Sequence, residues 1–185
     1  MSKSVGYSLW LVPDRSSSIY QGLTSVIAEI ADRYSAPIFH PHVTLLGGLI
    51  GLSQVVGGTR KLADMIMPLE IQLGDIRSHG TYFQLLFSKV ERTEAVMGAY
   101  AKAQAIFGAG EGEYFPHLSL AYGDIPEADL DILLDLIPRQ PGFSSSVGRK
   151  FVVSEIELWR TRGAVEDWRR VTTFPMGKAQ AVKSR

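Results

Sequence analysis

Two short segments of this chain repeat one another. Phe39-His40-Pro41-His42-Val43-Thr44-Leu45 and Tyr114-Phe115-Pro116-His117-Leu118-Ser119-Leu120 both read aromatic, any residue, Pro, His, aliphatic, hydroxyl, Leu, at an offset of 75 (His42 to His117). The offset reaches upstream as well, because Tyr7-Ser8-Leu9-Trp10-Leu11-Val12 and Tyr82-Phe83-Gln84-Leu85-Leu86-Phe87 each begin 35 residues before their His. Self-similarity at a fixed spacing means one supersecondary unit used twice. Whatever the fold, its halves must be built alike.

Between each upstream strand and its His segment lies a helical stripe. Ile19, Leu23, Val26, Ile27, Ile30 and Tyr34 recur with a 3.6-residue period behind the capping candidates Asp14 and Ser16, and Val96, Tyr100, Ala103 and Phe107 do so in the second half. Further helices are expected over Ser53 to Met67 and Glu127 to Ile137, the latter started by Asp124 or Pro126. A closing strand is expected in each half, over Leu69 to Ser78 and Phe151 to Thr161, ended by Gly80 and Gly163. The connector from Pro138 to Gly148 is a long loop, a lid or a plain connection. These elements predict an α+β fold: two pseudo-symmetric antiparallel-sheet lobes with outer helices around a central cleft, in a single unit over residues 1–175. Residues 176–185 lack an amphipathic period and read as a disordered tail.

Composition removes several chemistries. At 185 residues the chain is long enough for a core of its own, and 19 Lys+Arg against 19 Asp+Glu leave no excess charge to displace counterions from a polyanion. Any anionic ligand should then be small or locally held. With no Cys there are no disulfides, thiolate ligands or thiol nucleophiles, which suits a reducing cytoplasm. The apolar run before Pro13 is far too short to span a membrane.

On a strand, residues i and i+2 share a face, so His42 stands beside Thr44 and His117 beside Ser119, while Val43, Leu45, Leu118 and Leu120 face a core. If the lobes face each other, one cleft receives two imidazoles and two hydroxyls. In-line displacement at a phosphodiester needs a base, an acid on the opposite side and donors for the non-bridging oxygens. Two His supply base and acid, because their pKa lets one be neutral while the other is charged; Thr44 and Ser119 supply donors. No metal or other cofactor is required, and no His-x-x-x-His or His-Glu-x-x-His spacing offers to hold a metal. A lone His on a strand is more often structural, but a packing role would not place the same polar pair on two equivalent strands. His40 and His42 are also i, i+2 neighbours suited to a metal pair, yet the second repeat has Phe115 in place of His40. His79, beside Gly80, reads as a solvated turn residue. Pro41 and Pro116 mark a strand start, or else a strained presentation of the His that follows.

The paired segments His42-Val43-Thr44-Leu45 and His117-Leu118-Ser119-Leu120 resemble the twin His-x-Thr/Ser signature of the two-histidine (2H) phosphoesterase superfamily. Tyr7-Ser8-Leu9-Trp10 before Pro13, Tyr122, and the strand before Gly163 and Trp168 make the chain most similar to its plant and fungal cyclic phosphodiesterases, from about residue 5 to 175. The resemblance implies a bilobal fold without a cofactor that opens nucleoside 2′,3′-cyclic phosphates to 2′-phosphates and ADP-ribose 1″,2″-cyclic phosphate to the 1″-phosphate. It implies His42 and His117 as the catalytic pair, Thr44 and Ser119 as phosphate donors, and Trp10 and Tyr122 as aromatic residues lining the cleft. Trp10 serves equally well as core. Tyr122, at i+5 from His117, reaches the cleft only through a bend near Gly123.

Three rival readings remain. Arg160, Arg162, Arg169 and Arg170 offer a basic track, which suits an enzyme acting on RNA 2′,3′-cyclic phosphate ends, although a solvated strand-end cluster explains them too. A non-catalytic module sensing a cyclic phosphate, or a structural protein with a chance repeat, would not need matched acid and base. The partner expected is a mononucleotide-sized cyclic phosphate met by a cytoplasmic monomer, with RNA ends as the alternative and no membrane.

Overall fold

Each repeat opens as strand, helix, strand: β1 (Tyr7–Leu11), α1 (Ser18–Tyr34) and β2 (Val43–Leu49), then β4 (Leu86–Val90), α3 (Glu94–Phe107) and β5 (His117–Ala121). Following β2 come α2 (Leu52–Met65) and β3 (Leu69–Arg77). After β5 come α4 (Glu127–Leu136), a short 3₁₀ turn over Ile137–Arg139, and the strands β6 (Lys150–Val153), β7 (Glu155–Arg160) and β8 (Arg169–Pro175). The computed structural model describes residues 6–110, 112–139 and 150–177. Most of the connector after Pro138 and the tail from residue 178 therefore lie outside the described residues. Met176, however, is buried in the core and the Gly177 N–H donates to the Ala63 carbonyl at 3.1 Å, so these two expected tail residues are packed.

The eight strands form one antiparallel sheet in the order β6-β3-β4-β5-β2-β1-β7-β8. Its centre is the seam between β2 and β5, where Val43 pairs with Leu118. The expected closing strand Leu69 to Ser78 crosses to the other lobe as β3, which pairs with β4 and β6. The strand expected over Phe151 to Thr161 is instead two, β6 at the sheet edge beside β3 and β7 between β1 and β8, and only β7 crosses. Alternation identifies a strand but not its neighbours, which is why the sequence pattern left each closing strand in its own half. The exchange ties together two lobes that otherwise share a short seam.

Helices cover one face of the sheet. Leu23, Val26, Ile30 on α1 and Val96, Ala99, Ala103 on α3 are buried with Leu9, Leu11, Val43, Leu45, Leu118 and Leu120 in the main core. The cap of α1 is Ser17 rather than Asp14 or Ser16: its hydroxyl accepts the Tyr20 N–H at 3.2 Å, while the Asp14 carboxylate accepts from the Ser16 N–H and hydroxyl. The stretch expected as a strand from Tyr82 is irregular up to Leu86. A tight turn intervenes, in which Gln84 N–H donates to the Thr81 carbonyl at 3.0 Å and His79 N–H to the Gln84 carbonyl at 2.9 Å. That turn frees Tyr82 and Phe83 from the ladder and sets them against the open face of the sheet.

Candidate active site

The open face carries a second, aromatic cluster in which Trp10, Phe39, Tyr122, Trp159 and Trp168 are buried together. Beside it lies a cleft of about 390 Å³ lined by His42, Thr44, His117, Trp10, Tyr122 and Trp168, with Ser8, Gly47 and Phe83 among the remaining walls. Among the described residues, no Lys, Arg, Asp or Glu lines it. Because Val43 pairs with Leu118 in an antiparallel ladder, the register sets His42 opposite Ser119 and Thr44 opposite His117 across the seam. The two repeats thus interleave their polar pairs.

Both imidazoles are held in the same way. The His42 Nδ1–H donates to the His40 carbonyl at 2.6 Å and the His117 Nδ1–H donates to the Phe115 carbonyl at 2.9 Å, each bond reaching back across the intervening proline. Tying up Nδ1 fixes the tautomer and leaves Nε2 as the free acid or base nitrogen. The strands begin at Val43 and His117, so Pro41 and Pro116 sit just outside the ladder, where a missing amide costs nothing.

Their surroundings differ. His42 is 3% exposed, and burial drives its pKa from the usual 6.5 down to about 3, with the His117 charge adding to the effect and the His40 carbonyl opposing it. His117 is half-buried, and its pKa is lowered chiefly by burial against the same kind of carbonyl bond. Each ring also has an aromatic from the neighbouring strand. Trp10 stacks flat on His42, and Phe87 stands edge-on to His117 with centroids 5.4 Å apart. Phe87 was not visible as a site residue in the sequence, where it reads as an ordinary strand hydrophobe.

The hydroxyls differ as well. Thr44 is half-exposed in the cleft. Ser119 is buried, does not line the cleft, and donates to the Phe83 carbonyl at 3.2 Å. Tyr122 does reach the cleft, through a bulge rather than a bend at Gly123 alone: Leu86 pairs with Ala121 but Phe87 with Ser119, so one extra β5 residue shifts the alternation. Leu120 and Ala121 both join the core, and Tyr122 turns to the open face. Gly123 then leaves the strand with φ of 116°. The β1–β2 ladder shows the same shift, since Leu9 pairs with Leu46 and Trp10 with Thr44. The residue in the place of Tyr122 is there Gly47, which widens the cleft on that side. Burial raises the Tyr122 phenol well above its ordinary pKa, with the Ser119 hydroxyl bond opposing.

Behind Trp10, Glu157 is 2% exposed and is the carboxylate of a network absent from the sequence reading. Arg15 donates to both of its oxygens at 2.8 and 3.0 Å, Arg170 donates at 3.2 Å and Trp159 Nε1–H at 2.7 Å. Tyr20 and Arg15 in turn hold the His40 ring through Nδ1, at 2.8 and 3.3 Å. His40 therefore belongs to this network, and its backbone carbonyl positions His42. His79 is exposed and bonded to Gln84, edge-on to Phe87. Among the described residues, no three His, Asp or Glu side chains cluster as a metal site, and no helix is long and apolar enough to cross a membrane.

Two imidazoles locked in one tautomer, facing a cleft between interleaved halves of an antiparallel sheet, define a two-histidine phosphoesterase. The fold agrees with that of Escherichia coli LigT in its apo form (14% identity, TM-score 0.63, covering 95% of this chain and 99% of that one). It agrees equally with TT0787 of Thermus thermophilus (16% identity, TM-score 0.64, covering 94% and 98%). Residues 5–175 match the family model described as cyclic phosphodiesterase-like protein, and the chain belongs to that family. The chain is similar to proteins named 2′,3′-cyclic-nucleotide 3′-phosphodiesterase from Neurospora crassa (26% identity, covering 67% of this chain and 74% of the relative) and Phaeosphaeria nodorum (27%, covering 71% and 76%). It is a phosphodiesterase, a hydrolase of cyclic phosphodiesters.

Proposed function

We propose that the substrate is a nucleoside 2′,3′-cyclic phosphate, opened to the 2′-phosphate, and that His42 and His117 are its base and acid. The Nε2 of His42 takes a proton from water as the water oxygen bonds to phosphorus. The bond from phosphorus to the 3′ oxygen breaks, and His117 gives that oxygen its proton. Thr44 donates a hydrogen bond to a non-bridging oxygen; Ser119 joins it by turning from the Phe83 carbonyl. Trp10 and Tyr122 wall the nucleoside. ADP-ribose 1″,2″-cyclic phosphate is the second substrate of the same chemistry, and residues 1–175 constitute the working unit.

The observation that carries this reading is the matched Nδ1–H to carbonyl bond on two imidazoles of unequal burial in one cleft. Burial penalises the charged form, so a proton shared by the pair resides on the less buried ring, His117, and His42 stays neutral to act as base. The names of the two fungal relatives describe scission at the 3′ ester, which agrees with a 2′-phosphate product. Phosphorus NMR of reactions with adenosine 2′,3′-cyclic phosphate and ADP-ribose 1″,2″-cyclic phosphate tests both proposals. A 2′-phosphate and a 1″-phosphate are expected; a 3′-phosphate product, or no turnover of either compound, overturns the assignment.

A further inference from the structure

A second cavity, about 570 Å³, adjoins the cleft and shares its Trp10 and Trp168 walls. The other side is charged where the cleft is neutral. Arg15, Arg169 and Arg170 line it, and the buried Glu157 carboxylate pairs with Arg15 and Arg170. Three guanidinium groups against that one carboxylate leave local positive charge in a chain whose formal net charge is zero. The exposed Glu166 lies on the Tyr82 side of this edge and does not line the cavity. Arg15 is spent on Glu157, Tyr20 and His40, but Arg170 gives one bond to Glu157, and Arg169 uses Nη1 on the carbonyls of Glu166 and Trp168. A guanidinium has five N–H donors, so both retain donors for a ligand. Among the described residues, the buried Trp168 Nε1–H and Thr24 hydroxyl make no hydrogen bond, and both residues line this cavity.

We infer that this cavity is a phosphoryl subsite for the 5′ side of the substrate, in which Arg169 and Arg170 hold a phosphate carried by the nucleoside whose cyclic phosphate lies between His42 and His117. The inference rests on the hydrolysis proposed above. The two indoles form a wall shared by both cavities; because Trp10 is already stacked with His42 and Trp159, a substrate would pass over the edge of that wall, with one anion on each side. The neutral cleft then selects the reacting phosphate by its imidazoles and hydroxyls, and the arginines select for a second charge without competing for the first. Arginine is well suited to the task, because its planar fork matches phosphate oxygens.

The test compares kcat/KM for adenosine 2′,3′-cyclic phosphate with that for the same compound bearing a 5′-phosphate, in the wild-type protein and in an Arg169→Gln/Arg170→Gln variant. The wild type is expected to favour the 5′-phosphorylated substrate by about tenfold, mainly through KM, with the preference shrinking as salt is raised. In the variant the ratio is expected to fall to about one. Equal kcat/KM for both compounds in the wild type, or a preference that persists in the variant, overturns the subsite while leaving the catalytic reading standing. Failure to hydrolyse either compound overturns the catalytic reading itself.

Discussion

The indole of Trp10 lies flat against the imidazole of His42, with centroids 3.5 Å apart and planes within 10°. Trp159 stacks on Trp10 in turn, at 4.2 Å, so the ring sequence runs from the cleft into the aromatic cluster. His42 beneath this ring is 3% exposed, and its burial lowers its pKa from 6.5 to about 3.

Trp10→Leu should therefore uncover the His42 ring and raise its pKa from about 3 towards 6.5. The titration of the His42 ring proton by NMR reads the shift directly. Trp10→Phe keeps an aromatic in place and should move the midpoint less. An unchanged midpoint in a folded Trp10→Leu protein would show that the stack is not what excludes water.

Buried neutral His42 also ties stability to pH. Below pH 6.5 the unfolded chain binds a proton at this residue that the folded protein refuses until about pH 3, so stability is complete above 6.5 and is lost as the pH falls. The loss approaches about 1.4 kcal/mol per pH unit and reaches on the order of 5 kcal/mol across the window. Urea unfolding from pH 7 to 4 should show this slope in the wild type and a shallower one in His42→Phe. Parallel slopes would contradict it.

A further consequence concerns the pH dependence of turnover. If His42 is the base, the acid limb of kcat/KM lies far below pH 6.5, near 3; if His117 is the acid, the basic limb also lies below 6.5, since burial lowers its pKa in the free protein. An anionic substrate between the rings favours their charged forms, so the basic limb of kcat should lie higher than that of kcat/KM. His117→Gln should abolish the basic limb of its residual activity. Loss of that limb in His42→Gln instead would reverse the two roles.

The Glu157 network makes its own prediction. Glu157→Ala removes a 2% exposed carboxylate that accepts from Arg15, Arg170 and Trp159, and leaves the Arg15 charge unpaired. Arg15 is itself about one-third exposed, which tempers the cost. Denaturation should show a loss of about 2–3 kcal/mol. A change below about 0.5 kcal/mol would mean that solvent replaces the carboxylate without penalty.

How much of this was legible in the sequence depends on the kind of pattern involved. The repeat placed His42, Thr44, His117 and Ser119 on one face, because alternation and offset are local properties. Strand exchange was not legible, since β3 and β7 look the same whichever lobe they join. Tyr122 in the cleft contradicts plain alternation and needs the bulge in β5, which in the repeat is matched by the bulge before Gly47. Glu157 stands in a strand that also carries Glu155 and Arg160, so nothing in the sequence singles it out, and only its pairing opposite Trp10 brings it to the arginines. The unequal burial of His42 and His117 was invisible as well, since the repeat makes them equivalent and the environment of each comes from non-repeated aromatics.

The proposed mechanism has two imidazoles share one acid-base reaction. It is tested most directly by kcat for hydrolysis of adenosine 2′,3′-cyclic phosphate in His42→Ala and His117→Ala, with folding confirmed by circular dichroism. Each single variant should lose about 10²- to 10⁴-fold, and the double variant little more, because the pair acts as a unit. Near-normal turnover by either folded single variant would contradict the account.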